Sequence, residues 1–500
     1  MRVARSLADP LLAAILLLGA FFCFWNLDGR GLWQDEAVTA VLARRTLALG
    51  VPLADDGVNP VSTELGRDRA ADGVWNWSPW LPFYLCAAGL RAVGGEAGAR
   101  LPFALAGWLC LPAAYLLGLR VGGSRRSARF SALALALSAP FLLHARQARG
   151  YSLAALCCAV LALSVEGVLE DDRRDFFLFV FFSAVMFYTN DLVALVYVFS
   201  SFLSVMTIRR PSRSAQLRLT AAVAVVAAAC LPGIFYFRVF EHGAGLSVLS
   251  APARAVRSLS YLFAFVLPWP AALAAKFLGV RARRLLWSCL IYAAVLGLSP
   301  WLFSRYLIAL APLGAALTGA ALDALAARSR LLAASCLAAL ATTLPSAGLI
   351  RWAESGPLHS PFFALTTEVL KGYPSCGRAA GEFLAARAAP GAIVLTNYDD
   401  AVLQFYAPAQ RTRGGEQGPP WPADPDWMVL HPYEISRDSG RDFDVLNFAR
   451  ARLARGGYAV QPFVCRDPVL AGAPEPETHL FAAPSAGSST VILRRAPGSR

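Results

Sequence analysis

The sequence predicts an α-helical polytopic membrane protein followed by a small soluble α/β domain. Three observations carry that reading. Of 500 residues, 57% are hydrophobic and only 16% are charged, with a mean hydropathy of +0.50, whereas soluble globular chains hold about 25% charged residues. Long apolar runs fill the first 350 residues. From about residue 351 the runs stop, and helix-like and strand-like patterns alternate instead. The same composition excludes a soluble multidomain enzyme and a disordered or collagen-like chain.

A helix needs about 20 apolar residues to cross the hydrocarbon core. Eleven runs qualify, the shorter ones by borrowing flanking residues: 9–27, 101–119, 130–145, 152–168, 176–189, 192–208, 219–237, 258–279, 285–303, 306–325 and 331–350. Arg2 and Arg5 before the first run imitate a signal peptide. That run exceeds the usual h-region of about 7–15 residues and lacks an A-x-A cleavage site, so it reads as an uncleaved span. One more run, 79–93, is too short. Trp75, Trp77 and Trp80 gather at its start and Pro82 lies within it, which suits a helix lying in the membrane interface.

Arginine fixes the direction of the spans. Of 46 basic residues only Lys276 and Lys371 are lysines, and the net charge is +13. These arginines sit mostly in short loops between apolar runs, so topology accounts for them and no nucleic-acid partner is expected. With eleven spans, fifteen arginines from Arg120 to Arg330 fall in loops on one side, against six on the other: Arg146, Arg149, Arg238, Arg254, Arg257 and Arg305. The positive-inside rule places the richer side in the cytoplasm. The N-terminus is then cytoplasmic, and the long loop 28–100 and the tail lie outside the cytoplasmic membrane.

Two domains follow: 1–350, transmembrane with the outside loop 28–100, and 351–500, extracytoplasmic. In the tail, 392–396, 427–430, 458–464 and 491–494 read as strands, 399–406 as a helix start, 444–455 as a helix, and the Gly- and Pro-rich 411–426 as a loop. Cys376 and Cys465 are its only cysteines, and an oxidising compartment suits a disulfide between them. The eight earlier cysteines read as small apolar residues. No CxxC pair or HExxH points to a metal.

The residues with chemistry fall on one predicted face. After the first span comes Gly31-Leu32-Trp33-Gln34-Asp35-Glu36-Ala37, two adjacent acids beside an aromatic ring at the bilayer surface. Partial desolvation there would make a carboxylate a better base. A second outside turn reads His144-Ala145-Arg146-Gln147-Ala148-Arg149-Gly150-Tyr151. Arg146 and Arg149 would share a face if this turn is helical, and guanidinium forks suit phosphate oxygens. A third outside junction is Ser304-Arg305-Tyr306. An acid with convergent arginines at a lipid surface suits an anionic, lipid-linked substrate. Asp55, Asp56, Glu64, Asp68 and Asp72 read as solvated loop acids, and Tyr188 to Asp191 as a tight turn.

These motifs, in this order, resemble membrane glycosyltransferases of the GT-C fold. The nearer branch includes protein O-mannosyltransferases, the aminoarabinose transferases of lipid A and rhizobial lipopolysaccharide sugar transferases. Leu32-Trp33-Gln34-Asp35-Glu36-Ala37 is similar to that family's start, and Ser78-Pro79-Trp80-Leu81-Pro82-Phe83-Tyr84 to its His-Pro-Pro-Leu-Tyr stretch. Arg100-Leu101-Pro102 also matches. Arg146-Gln147-Ala148-Arg149-Gly150-Tyr151 resembles its Glu-Ala-Arg-x-Tyr turn, with Gln147 where Glu is common, and Ser304-Arg305-Tyr306-Leu307 its late Arg-Tyr-Leu element. The resemblance spans about 10–325. It implies a polyprenyl-phosphate sugar as donor, direct displacement at the anomeric carbon, and a cell-envelope acceptor: glycolipid, polysaccharide or protein. Asp35 would be the catalytic base and Glu36 its support or an acceptor contact. Arg146, Arg149 and Arg305 would hold the donor phosphate, and Trp33, Tyr151 and Tyr306 would contact substrate. No cofactor is implied, although some GT-C enzymes use a divalent ion. The alternative is a polytopic transporter or flippase for a lipid-linked or anionic substrate, a class that often repeats its halves; no repeat is evident here. A third is a membrane-anchored binding protein whose tail does the work, which would make Asp35 dispensable.

Overall fold

A computed structural model describes residues 9–243, 250–275, 277–299, 302–342, 361–418, 420–431, 441–465 and 490–496. The expected domain boundary at 350/351, the end of the run 331–350, and Lys276 lie outside the described residues. The chain packs as two compact units. One holds residues through Trp25 together with Leu101–Leu370; the other holds Asn26–Arg100 and the described residues from Lys371 onward.

The first unit is helical, and each of the eleven apolar runs holds a helix. In order these are α1 (Pro10–Phe24), then, after α2 and α3 of the other unit, α4 (Gly95–Gly122, from Leu101 onward in this unit), α5 (Arg125–Ala136), α6 (Ala139–Ala145), α7 (Tyr151–Leu169), α8 (Arg173–Thr189), α9 (Asp191–Thr207), α10 (Arg213–Tyr236), α11 (Ala251–Phe265), α12 (Trp269–Ala275), α13 (Val280–Leu296), α14 (Ala311–Ala326, continuing a 3-10 turn Ser304–Leu310), α15 (Arg330–Thr342) and α16 (Pro361–Lys371). Among the described residues four segments are long and apolar enough to cross a membrane: α4, α7, α10 and Ser304–Ala326. Two bent pairs raise the number to six if each is one span.

Those bends correct the expectation of unbroken spans at 130–145 and 258–279. The α5–α6 pair turns by 63° and the α11–α12 pair by 94°. Pro140 lies in the first turn of α6 and Pro268 in the second break. Proline has no N–H to continue the helix ladder and clashes with the preceding turn. Close backbone approach holds the helices together elsewhere. A Cβ at Gly118 on α4 or at Gly319 on α14 would strike the Ser131 hydroxyl of α5. Small residues permit such approach where lipid offers no hydrophobic drive. Asp9 caps α1 at Leu11 N (3.1 Å) and also accepts from Arg129 Nε (2.8 Å) and the Tyr115 hydroxyl (3.0 Å), tying α1 to α4 and α5.

The second unit contains the loop 28–100 and the tail. Here α2 (Gln34–Leu49) ends at Gly50, whose φ of 80° gives the left-handed turn that glycine supplies without steric cost. The next helix, α3 (Leu81–Ala92), has 12 residues. At about 1.5 Å per residue it spans about 18 Å, short of a hydrocarbon core of about 30 Å. The helix in the run 79–93 is therefore too short to cross by itself. Asp68, expected to be solvated, is instead fully buried; it accepts from the Ser62 hydroxyl (3.1 Å) and the Thr63 N–H (2.5 Å) and folds the loop around itself.

The tail is α/β. Its elements are α17 (Cys376–Arg387), β1 (Ile393–Thr396), α18 (Asp400–Tyr406), β2 (Arg411–Gly414), β3 (Trp427–Leu430), α19 (Arg441–Ala454), β4 (Tyr458–Val460) and β5 (Val491–Arg495). The sheet order is β2-β1-β3-β5-β4; β1 is parallel to β2 and β3, while β5 is antiparallel to β3 and β4. Alternation builds two cores. Val394, Val429 and Ile492 pack with Leu384 and Leu403 from α17 and α18, and Leu395, Met428 and Leu493 pack with Val445 and Ala449 from α19. The expected loop 411–426 begins with a strand. Arg411-Thr412-Arg413 alternates charged and inward residues, and an arginine-bearing edge resists further pairing. The expected strand 458–464 stops at Val460. Cys376 and Cys465 are disulfide-bonded.

Candidate active site

Two groups of site residues are built in different ways, one in each unit. The acid group opens α2. Trp33 is its N-cap, and Asp35 and Glu36 occupy the first turn, where acids complement the helix dipole. Every residue from Gly31 to Ala43 is buried except Asp35, which is partly exposed. Glu36 is wholly buried. Arg100 grips both its oxygens, Nε and Nη2 each at 2.7 Å, and Glu36 also accepts from Trp33 N at 3.4 Å. The remaining Arg100 donors go to the carbonyls of Leu27 (2.6 Å), Arg30 (2.9 Å) and Gly31 (2.9 Å). One guanidinium thus straps the chain entering α2 to the helix itself, beside the partly exposed Asp35. Sequence reasoning noted Arg100 only as a motif match; its adjacency to a helical stretch gave no sign that it pairs with Glu36.

On the other side of Asp35, Gln34 is also buried. Its amide donates to the Asp400 carboxylate, and its oxygen accepts from Ala401 N (3.2 Å). Leu32 N donates to the Tyr406 hydroxyl (3.0 Å), which donates to Glu96 (2.8 Å). Burial pushes the Asp400 carboxyl up to about 6, against the lowering effect of hydrogen bonds from Gln34 and Gln417. These tail residues were invisible in the sequence, since contact across some 366 positions leaves no local pattern.

The arginine group lies in the first unit. The segment 146–150 joining α6 to α7 is a tight turn and not a helix, so Arg146 and Arg149 do not share a helical face as the sequence reading allowed. Arg146 is buried and donates to Phe22 O (2.7 Å). Arg149 is partly exposed, its guanidinium 5.9 Å from the centre of the Tyr151 ring. Arg305 lies 4.0 Å over the Phe303 ring. Ring contacts bring the two motifs together: His144 with Tyr151 at 5.6 Å, Tyr151 with Tyr306 at 6.4 Å, and Phe303 with Tyr306 at 5.9 Å. The Tyr292 hydroxyl pins the Tyr306 carbonyl (2.9 Å).

Gln147 is fully buried in this turn, and among the described residues neither end of its amide has a hydrogen-bond partner. The Tyr151 hydroxyl is in the same condition. Buried polar groups are normally satisfied, so the turn holds hydrogen-bonding capacity unspent on the protein. Among the described residues no group of three or more His, Cys, Asp or Glu side chains could hold a metal ion.

No protein-family model matches the chain, and no curated protein matches it in sequence. Solved structures do match in shape. ArnT from Cupriavidus metallidurans bound to undecaprenyl phosphate superposes with a TM-score of 0.63 over 98% of both chains at 16% identity. The apo state of ArnT gives 0.61 over 97% of both chains, also at 16% identity. The archaeal oligosaccharyltransferase AglB from Archaeoglobus fulgidus, in complex with an inhibitory peptide and a dolichol-phosphate, gives 0.52 at 12% identity, covering 91% of this chain and 73% of AglB. The chain therefore has the fold of these proteins, the GT-C fold that its ordered motifs imply.

Proposed function

We propose that this protein transfers a sugar from a polyprenyl-phosphate donor to a cell-envelope acceptor at the outer face of the cytoplasmic membrane. The observation that carries the reading is the one partly exposed acid in a buried stretch. In a stretch where its neighbours from Gly31 to Ala43 are buried, Asp35 alone is presented, on a helix strapped by Arg100. The shared fold with ArnT bound to undecaprenyl phosphate supports a lipid-phosphate donor.

In the proposed step Asp35 accepts the proton of the acceptor hydroxyl. The acceptor oxygen forms the new bond at the anomeric carbon, and the bond from that carbon to the phosphate oxygen breaks. Polyprenyl phosphate leaves with the electron pair. Arg149 and Arg305 neutralise the charge that develops on it, and Arg146 shapes the turn while facing the same phosphate. Tyr151 and Tyr306 supply the aromatic wall beside it, and Gln147 offers its unspent amide to the donor. Glu36 supports the base through Arg100, and Trp33 caps the base-bearing helix next to the acceptor. A glycolipid, a polysaccharide or a protein would fill the acceptor role. Eleven spans, a cytoplasmic N-terminus and an extracytoplasmic tail complete the reading, on the strength of the arginine asymmetry.

The test is sugar release from a panel of polyprenyl-phosphate sugars by the purified protein, with envelope extract as acceptor, beside Asp35→Asn. Turnover of one donor that vanishes in the variant is expected. A folded wild-type protein that turns over no donor, or an Asp35→Asn variant as fast as wild type, overturns the proposal.

A further inference from the structure

Asp400 is an odd residue to bury. It is 1% exposed, and among the described residues no arginine, lysine or histidine pairs with it. An uncompensated buried carboxylate is costly, and an apolar residue would serve stability better. Two side-chain amides receive it instead. Gln34 Nε2 donates to one oxygen, and Gln417 Nε2 donates to the other at 2.8 Å while also reaching Pro60 O at 2.8 Å. The local fold is arranged to deliver it. Asp399, at a φ of 63°, turns the chain out of β1 so that Asp400 begins α18, and a Cβ at Gly414 on β2 would come within 2.5 Å of its own Cβ.

The partner explains the expense. Gln34 immediately precedes Asp35 and is the first residue of α2. A carboxylate accepts only, so it forces the Gln34 amide to present its NH2, which in turn aims the Gln34 oxygen at Ala401 N. Both ends of the amide are then committed, and the first turn of α2 has one orientation. We infer that Asp400 is a positioning residue, acting through Gln34 to fix the direction in which Asp35 is presented. The α/β tail thereby belongs to the catalytic apparatus as a brace for its base. The inference rests on the reading of Asp35 as that base. Other ties between α18 and the chain in and before α2 do not involve Asp400: Arg44 donates to Phe405 O (2.6 Å) and stacks 3.6 Å over its ring, and the Tyr406 hydroxyl accepts from Leu32 N. Losing Asp400 should therefore loosen the first turn without detaching α18.

The test is a double-mutant cycle in the full-length protein, read as kcat and donor KM. Asp400→Asn turns an NH2 against one of the two amide donors, and Gln34→Ala removes the transmitting side chain. Each should lower kcat about 10-fold with donor KM within about twofold, and the double variant should lose no more than either single, as residues acting through one another do. Gln34→Glu in the Asp400→Asn background reverses donor and acceptor and should recover most of the loss. Wild-type kcat in either single variant, multiplied losses in the double, or a rise in KM alone would overturn the inference. If Asp400→Asn fails to fold, Gln34→Ala decides by the same split. An inactive Asp35→Asn beside a fully active Asp400→Asn sinks only the positioning role; an active Asp35→Asn sinks the catalytic reading itself.

Discussion

The acid and the arginines are held in opposite ways. Around Asp35 nearly every polar group is spent on the protein: Arg100 on Glu36 and three carbonyls, Gln34 on Asp400 and Ala401, Leu32 N on Tyr406. Near Arg149 and Arg305, ring contacts join the two motifs, and the Gln147 amide and Tyr151 hydroxyl remain unspent among the described residues. A base, the role proposed for Asp35, must already point correctly when the reaction begins, and saturated surroundings would hold it so. A site for a charged lipid headgroup needs donors left over. The contrast separates a preorganised region from a receptive one.

Breaking the first region should have the largest effects. Asp35→Asn should cut turnover about 10²–10⁴-fold, the usual worth of a positioned base, with donor binding intact; binding lost together with turnover would place Asp35 in the receptive group instead. Arg100→Leu strands the Glu36 charge and should destabilise the protein by about 3–5 kcal/mol, read as earlier thermal unfolding. Adding Glu36→Met should restore much of that stability but not the rate.

The second region should respond in binding and not in folding. Arg149→Ala should weaken donor binding by about 10–100-fold, as expected for a lost charge-assisted bond of about 1.5–3 kcal/mol, with little change in unfolding temperature. Gln147→Leu sharpens the comparison further. An amide without protein partners costs stability, so its removal should leave folding equal or better while donor KM rises about threefold to tenfold. A Gln147→Leu protein that unfolds early would show the amide to be spent after all.

The smallest expected effect is on pH. Burial lowers His431 to about 3 from its ordinary 6.5, so the native tail keeps it neutral where the unfolded chain protonates it. Its contribution is complete above pH 6.5 and is lost as pH falls toward 3, at no more than about 1.4 kcal/mol per unit. Asp400, raised to about 6, has the opposite sign: its contribution is complete below pH 3.8 and is lost as pH rises through 6. Between about pH 4 and 6 the two offset each other. Hydrogen-exchange protection at Val429 and Ile492, taken relative to the intrinsic exchange rate at each pH, should therefore be flat in that window, and should fall with acid in Asp400→Asn.

The helical unit was legible because apolar runs announce themselves; each of the eleven holds a helix. The two bends were missed because a proline in an apolar run was read as part of a span, although Pro140 and Pro268 stood in plain sight. The buried β1 and β3 were found from their apolar runs, while β2, with two arginines in four residues, was hidden among glycines and prolines. At the candidate site, Asp35, Arg149 and Arg305 were singled out from local motif and topology. Arg100 and Asp400 could not be assigned roles, because what they do depends on partners 64 and 366 positions away.

The sheet order also says something about where this chain tolerates damage. The strand Val491–Arg495 lies inside the sheet, between β3 and β4, and among the described residues supplies the only strand neighbour of β4. A stop codon just before Val491 would keep 490 of these 500 residues, yet it would take out an interior plank and leave β4 without β5. A truncation that removes so short a segment should in this protein be read as loss of the whole brace.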